Sequence, residues 1–336
     1  MTEVALDRIN VIGAGSWGTA LADLAARTGR GVTLWGRDVG VVDTINRNSR
    51  NPRYLPDMAL EPGLRATTDM AIAADAQALL LAVPAQHMRA VCRALADVVA
   101  TKTPVVICAK GIEIDSGALM NEVVAAALPG RPIAALSGPT FAAEVARGLP
   151  TAVTLACADA ALAAALAEAL GSRTFRPYVS TDLIGTLVGG AVKNVLAIAC
   201  GIATGRRFGD NARAALITRG VAEIGRLGMA LGGRPQTLMG LSGIGDIVLT
   251  CSSAQSRNFS FGVALGETDD VVAARARVAK VVEGIATARP VVAIARRLDI
   301  DMPLCTAVDQ VLHHGAELDA TIAGLMGRPF KTEQLS

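Results

Sequence analysis

The sequence predicts an α/β protein, with a doubly wound, parallel-sheet domain over residues 1–180 followed by an all-helical domain over residues 181–336. Three observations predict it. Through the first half, short and near-continuous apolar runs alternate with Ala-rich helical stretches, the pattern of a parallel sheet covered on both faces. A glycine fingerprint, GAGSWG (13–18), stands between the first apolar run and the first helical stretch. From about Asp182 the strand rhythm stops, and long stretches with helical spacing follow, separated by Gly- and Ser-rich turns. A chain of 336 residues also makes two domains the natural expectation.

In order, RINVI (8–12) reads as the first strand, Ser16–Ala26 as the first helix and VTLW (32–35) as the second strand. A loop rich in Asn, Arg and Pro spans Asn46–Pro56. ALLLAV (78–83), PVVICA (104–109), IAALS (133–137) and TAVTLAC (151–157) supply further buried strands, each followed by a helical segment. FRPYVSTD (175–182) marks the domain boundary. Beyond it, Leu183–Ala203, Ala212–Leu231 and Val281–Arg297 carry helical periodicity.

Composition narrows the function. Aromatic residues are 3% of the chain, too few for a nucleic-acid stacking platform. The formal charge of +2 is interspersed with no basic tract, which argues against a polyanion-binding surface. Six cysteines are scattered without C-x-x-C pairs among only three histidines, so no metal site is expected. His87, His313 and His314 read as surface or loop residues. The opening MTEVALDRIN lacks the layout of a secretory leader. The best membrane-span candidate, Leu183–Gly205, has Lys193 and Asn194 at its centre, where charge is most costly. These features predict a reduced, cytoplasmic protein with no transmembrane segment.

Gly13, Gly15 and Gly18 form G-x-G-x-x-G after a strand and at the opening of a helix. That context is what a dinucleotide-binding, Rossmann-like turn requires: a tight bend, close approach of backbone to a pyrophosphate, and a helix N-terminus beneath it. Ser16 and Trp17 would then lie beside the coenzyme. Past the second strand the chain reads Trp35-Gly36-Arg37-Asp38. Arg37 suits the 2′-phosphate of NADP, while Asp38 suits the ribose of NAD; the pattern leans to NADP with NAD open.

GGAVKNVLAIACG (189–201) raises a different question, because Lys193 interrupts the most apolar helical stretch of the chain. An unpaired buried ammonium is costly or neutralises itself. Side chains lean toward the preceding turn, so Lys193 projects above Gly189 and Gly190, whose missing side chains leave room for a ligand or for another backbone.

Further stretches combine with these: RYLP (53–56), CAKGIE (108–113), SGPTFAAE (137–144), NARAALITRG (211–220), LSGIGDIVLTCSS (241–253), QSRN (255–258) and VVEG (281–284). Together they resemble the bacterial NAD(P)-dependent glycerol-3-phosphate dehydrogenases from about Ile9 to about Pro303. The resemblance implies interconversion of sn-glycerol 3-phosphate and dihydroxyacetone phosphate, the entry to glycerophospholipid synthesis, by a homodimer. It implies that Ser16, Trp17, Arg37, Lys110, Ala142, Arg257, Val281 and Glu283 touch NADP or NAD. It also implies substrate contacts from Lys110, Gly138, Thr140, Lys193, Asp246, Ser256, Arg257 and Asn258, with Lys193 as the proton-transfer residue. A guanidinium fork beside an amide, Arg257-Asn258, suits a phosphate. Rival readings are a reductase of a 2- or 3-hydroxy acid, which wants a carboxylate anchor and no SRN triplet, and a coenzyme-sensing regulator, which has no use for Lys193 and Asp246.

Overall fold

The structure, a computed structural model, describes residues 6–278 and 281–329. Residues 1–5 of the opening segment discussed above lie outside the described residues. Two compact units emerge. One runs up to Ala109 and resumes over Met120–Leu183; the other comprises Lys110–Leu119 and the chain from Ile184 onward.

The strands of the first unit are β1 (Ile9–Ile12), β2 (Thr33–Trp35), β3 (Arg50–Asn51), β4 (Leu55–Ala59), β5 (Arg65–Thr67), β6 (Ala78–Leu81), β7 (Val105–Ile107), β8 (Ile133–Ser137), β9 (Thr151–Cys157) and β10 (Phe175–Ser180). Its helices are α1 (Ser16–Arg27), α2 (Val39–Asn48), α3 (Met70–Ala74), α4 (Met88–Ala96), α5 (Met120–Ala127), α6 (Ala142–Ala146) and α7 (Ala160–Leu170). Among the described residues the main sheet has the order β10-β9-β8-β7-β6-β1-β2-β5, with β3 and β4 forming a separate hairpin. The chain therefore reverses direction across the sheet beside β1, which is the switch point where such sheets hold ligands. The central strands INVI and ALLL are buried throughout, because helices cover both faces. Asn10, the one polar residue of β1, is satisfied: its amide donates to Ala73 O at 2.9 Å and its oxygen accepts from Thr33 N at 2.8 Å.

The sheet is mixed rather than wholly parallel. β9 pairs antiparallel with β8, and β10 then pairs parallel with β9. A parallel return needs a crossover that travels back along the strand. Helix α6 has five residues, about 7.5 Å of rise, too short to carry the chain back past β8. β10 is also a strand where the sequence suggested only a boundary. Pro177 argues against a central strand, but β10 is an edge, where a missing N–H is tolerated. Asn46–Pro56, expected as a loop, contains the end of α2, strand β3 and the start of β4.

The second unit consists of α8 (Leu183–Gly205), α9 (Gly209–Ala230), α10 (Pro235–Leu238), α11 (Asp246–Cys251), α12 (Arg257–Thr268), α13 (Val271–Arg277), α14 (Glu283–Arg297), α15 (Pro303–His313) and α16 (Leu318–Met326). Helix α8 is apolar all round and is buried from Gly185 to Ile198, which makes it the axis around which the others pack. By length and composition it is able to cross a membrane, yet 83% of its apolar window is buried within the protein. The segment 110–119, which sequence order assigns to the first domain, belongs here because Ile112 and Leu119 insert into this unit's core. Among the described residues all six cysteines are free and buried. His87 is exposed, but His313 is not the surface or loop residue expected. It ends α15, half-buried, with Nε2 at 2.8 Å from Ile285 O.

Candidate active site

The second unit places a polar cluster inside its apolar core. Lys193, in the middle of α8, keeps 5% of its surface exposed. Its partner is Asp246, fully buried at the start of α11. Lys193 Nζ donates to Asp246 Oδ1 at 2.5 Å and to Thr250 Oγ1 at 2.8 Å. Lys110 Nζ donates to Asp246 Oδ2 at 2.6 Å. Thr250, one helical turn beyond Asp246, donates its own hydroxyl hydrogen bond to Oδ1 at 3.3 Å.

Local sequence explains how Asp246 reaches α8. LSGIG (241–245) forms a π-helical turn that leads directly into α11. A Cβ at Gly189 would lie 2.5 Å from Ser242 O, so glycine there is what lets this turn rest against α8. The space above Gly189 therefore holds another backbone, one of the two occupants its sequence allowed.

Burial pushes the Lys193 amine down to about 8. The neighbouring Asp246 carboxylate opposes that shift, and the charge of Lys110 adds to it. An amine titrating near neutrality is suited to giving or taking a proton at working pH.

A chain of amides surrounds the cluster. Asn194 Nδ2 donates to Lys110 O at 3.1 Å, and Asn258 Nδ2 donates to Asn194 Oδ1 at 2.9 Å. Gly284 N donates to Asn258 Oδ1 at 2.8 Å. Four separate segments are thereby held in register: the one after β7, α8, the start of α12 and the start of α14. Ser256 caps α12, its Oγ accepting from Phe259 N at 3.2 Å. Arg257, the first residue of α12, is exposed along part of its side chain; desolvation lowers its guanidinium from the usual value, and the nearby Glu283 carboxylate opposes that shift. Val281 is exposed just before α14.

In the first unit, GAGSWG closes the switch point. Gly13 has φ +119°, and a Cβ there would meet Ala82 O at 2.8 Å. A Cβ on Gly18 would meet Gly13 O at 1.8 Å, so α1 packs this close only with glycine. Gly15 differs: it is the N-cap of α1, and nothing lies within 4 Å of where its Cβ would be. Trp17 Nε1 beside it is buried without a protein partner. An open cradle over an uncapped helix start, with an orphaned donor alongside, fits a dinucleotide pyrophosphate.

Family models described as the N-terminus and the C-terminus of NAD-dependent glycerol-3-phosphate dehydrogenase match residues 8–163 and 182–323. The chain belongs to this family. It is similar to the glycerol-3-phosphate dehydrogenase [NAD(P)+] of Parvibaculum lavamentivorans, 54% identical over 333 residues, covering 98% of this chain and 99% of the relative. The corresponding protein of Rhodospirillum rubrum is 55% identical over 332 residues, covering 98% of this chain and 94% of the relative. The crystal structure of glycerol-3-phosphate dehydrogenase from Coxiella burnetii superposes with a TM-score of 0.92 at 40% identity, covering 96% of this chain and 99% of that one. As a family member the chain is an oxidoreductase that interconverts glycerol 3-phosphate and dihydroxyacetone phosphate with a nicotinamide coenzyme, NAD(P).

Of the residues singled out in the sequence, Lys110, Lys193 and Asp246 are in direct contact, and the amide chain joins Asn258 to them. Lys110 belongs to the helical unit, not to the sheet domain its position in the chain suggests. Gly13, Gly15, Ser16, Trp17, Gly18 and Arg37 gather around the end of β1 and the turn after β2. Gly138, with φ +149°, approaches the Val153 backbone, and Thr140 Oγ1 donates to Gly138 O at 3.1 Å; Ala142 opens α6. Asn194 and Thr250 were not named as site residues. The signals were present: Asn194 is a polar residue directly beside Lys193 in the apolar helix, and Thr250 falls on the helical face of Asp246.

Proposed function

We propose that Lys193 is the proton-transfer residue of the dehydrogenase reaction and that Asp246 and Lys110 set its charge and position. The observation that supports this reading is the buried Lys193–Asp246 pair. When bound, the nicotinamide supplies the hydride for reduction and accepts it in oxidation. As the ketone oxygen becomes an alkoxide, the Lys193 ammonium gives it a proton; in the reverse direction the neutral amine takes the hydroxyl proton. Asp246 holds the amine in place, and Thr250 fixes a second of its hydrogen bonds. Lys110, Gly138, Thr140, Ser256, Arg257 and Asn258 bind the phosphorylated three-carbon substrate. Gly13, Gly15, Ser16, Trp17, Gly18, Arg37, Lys110, Ala142, Arg257, Val281 and Glu283 bind NADP or NAD. The division at 180/181 into a coenzyme domain and a substrate domain is part of the same reading, with the segment around Lys110 serving the second.

The test is the pH dependence of both directions. Reduction needs the ammonium, so kcat/KM for dihydroxyacetone phosphate should be level below about 8 and fall above it. Oxidation needs the free amine, so kcat/KM for glycerol 3-phosphate should rise through the same region and level off above it. Matching profiles in the two directions would remove Lys193 from the role.

Arg257 supports the assignment of phosphate binding by its chemistry and by its place at the start of α12. Arg257→Ala should raise KM for dihydroxyacetone phosphate about 10- to 100-fold, the loss of a charge-assisted hydrogen bond, with a smaller change in kcat. An unchanged KM counts against it. We also assign a cytoplasmic homodimer that supplies glycerol 3-phosphate to lipid synthesis. Exposed apolar side chains on the second unit, among them Phe208, Met239 and Val248, support self-association, which sedimentation measurements test.

A further inference from the structure

The hairpin of β3 and β4 is strapped onto the coenzyme-binding turn. Asn51 Nδ2 donates to Ala14 O at 3.1 Å and to Thr19 Oγ1 at 2.8 Å. Ser16 Oγ donates to Tyr54 O at 3.0 Å, and Asp23 Oδ1 accepts from Glu61 N at 2.7 Å. These bonds fix the position of Arg53, between Asn51 and Tyr54, at the end of β2. There its guanidinium forms an ion pair with Asp38 and lies 5.5 Å from the centroid of the Tyr54 ring.

Asp38 stands where dinucleotide enzymes place the acid that reads the adenosine ribose, about 20 residues past the fingerprint. Both of its oxygens are engaged. Oδ1 caps α2 by accepting from Val41 N at 3.1 Å, and Oδ2 accepts from Arg53. A carboxylate so occupied offers little to a ribose hydroxyl, and the adjacent cation cancels its repulsion of a phosphate. A cavity of about 240 Å³ opens at this point, lined by Asp38, Val41, Thr44, Asn51 and Arg53 among others. The ion pair to Asp38 is solvent-exposed and is made through one guanidinium nitrogen, so the rest of the donor fork can meet a dianionic phosphate with three acceptor oxygens while the carboxylate stays paired.

We propose that Arg53 determines coenzyme specificity: it masks Asp38 and turns its guanidinium to the 2′-phosphate of NADP. This rests on the reading that the coenzyme lies on the GAGSWG turn. The probes are 2′-phospho-ADP-ribose and ADP-ribose, which lack the nicotinamide and do not turn over, with binding measured by calorimetry on the full chain. Arg53→Ala should weaken 2′-phospho-ADP-ribose at least about 10-fold and leave ADP-ribose within about 2-fold. Adding Asp38→Asn, which keeps the helix cap, should recover several-fold of the loss by removing the bared carboxylate. Equal losses for both probes, no loss for either, or no recovery in the double variant would overturn the proposal. Gly15→Val separates the underlying reading. Its side chain enters open space in the protein but fills the cradle, so both probes should be lost together. If both were retained, the coenzyme would not lie there, and the assignment of Arg53 would fall with that placement.

Discussion

Lys193→Ala is expected to lower kcat about 10³-fold in both directions, within the range for loss of a general acid–base group, while NADP(H) affinity changes little. The expectation has a geometric reason. The Lys193 amine is the group whose burial brings it to about 8, and its two fixed hydrogen bonds, to Asp246 and Thr250, hold it in place. The substitution leaves Asp246 its bond from Lys110, so the carboxylate keeps one cationic partner and the helical unit should remain folded. Coenzyme titration and thermal melting of the variant check that point directly. A kcat within a few-fold of the parent enzyme would mean that the proton comes from elsewhere.

Asp246→Asn should have nearly as large an effect for a different reason. The amide preserves the shape of the side chain but removes a carboxylate to which both lysines donate. The buried Lys193 amine and the half-buried Lys110 amine are then left close together without it. Removing one member of a buried charge cluster costs about 3–5 kcal/mol, which should appear as a lower urea midpoint at constant m-value. The Lys193 amine loses the influence that held its protonation up, so its titration moves further below about 8. The alkaline limb of the reduction profile should move to lower pH by the same amount, and kcat/KM at neutral pH should fall about 100-fold or more. A variant with unshifted profiles and unchanged stability would show that Asp246 has no influence on the amine. The two substitutions are in one hydrogen-bonded cluster, so their effects should combine less than additively.

The glycine turn and the helical unit were both legible in the chain, and for related reasons. Each depends on local periodicity or on a backbone demand that only one residue type meets. RINVI followed by GAGSWG predicts a tight glycine turn that lets the first helix pack close on the first strand, and the Cβ clashes at Gly13 and Gly18 show such close packing. The lysine in α8 announced itself by being expensive. The antiparallel turn of β9 was not legible, because strand direction depends on whether the connecting helix spans the sheet, and the Ala-rich pattern at 142–146 does not reveal that α6 stops after five residues. β10 was hidden by Pro177, whose tolerance depends on lying at an edge.

What the sequence by itself determined is a set of candidate groups: a glycine turn opening a helix, an amine in an apolar helix, an acid after a glycine-rich turn, and a guanidinium beside an amide. Their chemistry is intrinsic to residue type and to spacing along one helix or turn. Only the tertiary structure decided which of them meet. Lys110 departs from the sheet unit because Ile112 and Leu119 gain burial in the helical core, and the π-helical turn reaches α8 because Gly189 leaves space for it. Both outcomes depend on packing between segments far apart in the chain, 136 residues from Lys110 to Asp246 and 53 from Lys193, and no local pattern encodes such distances.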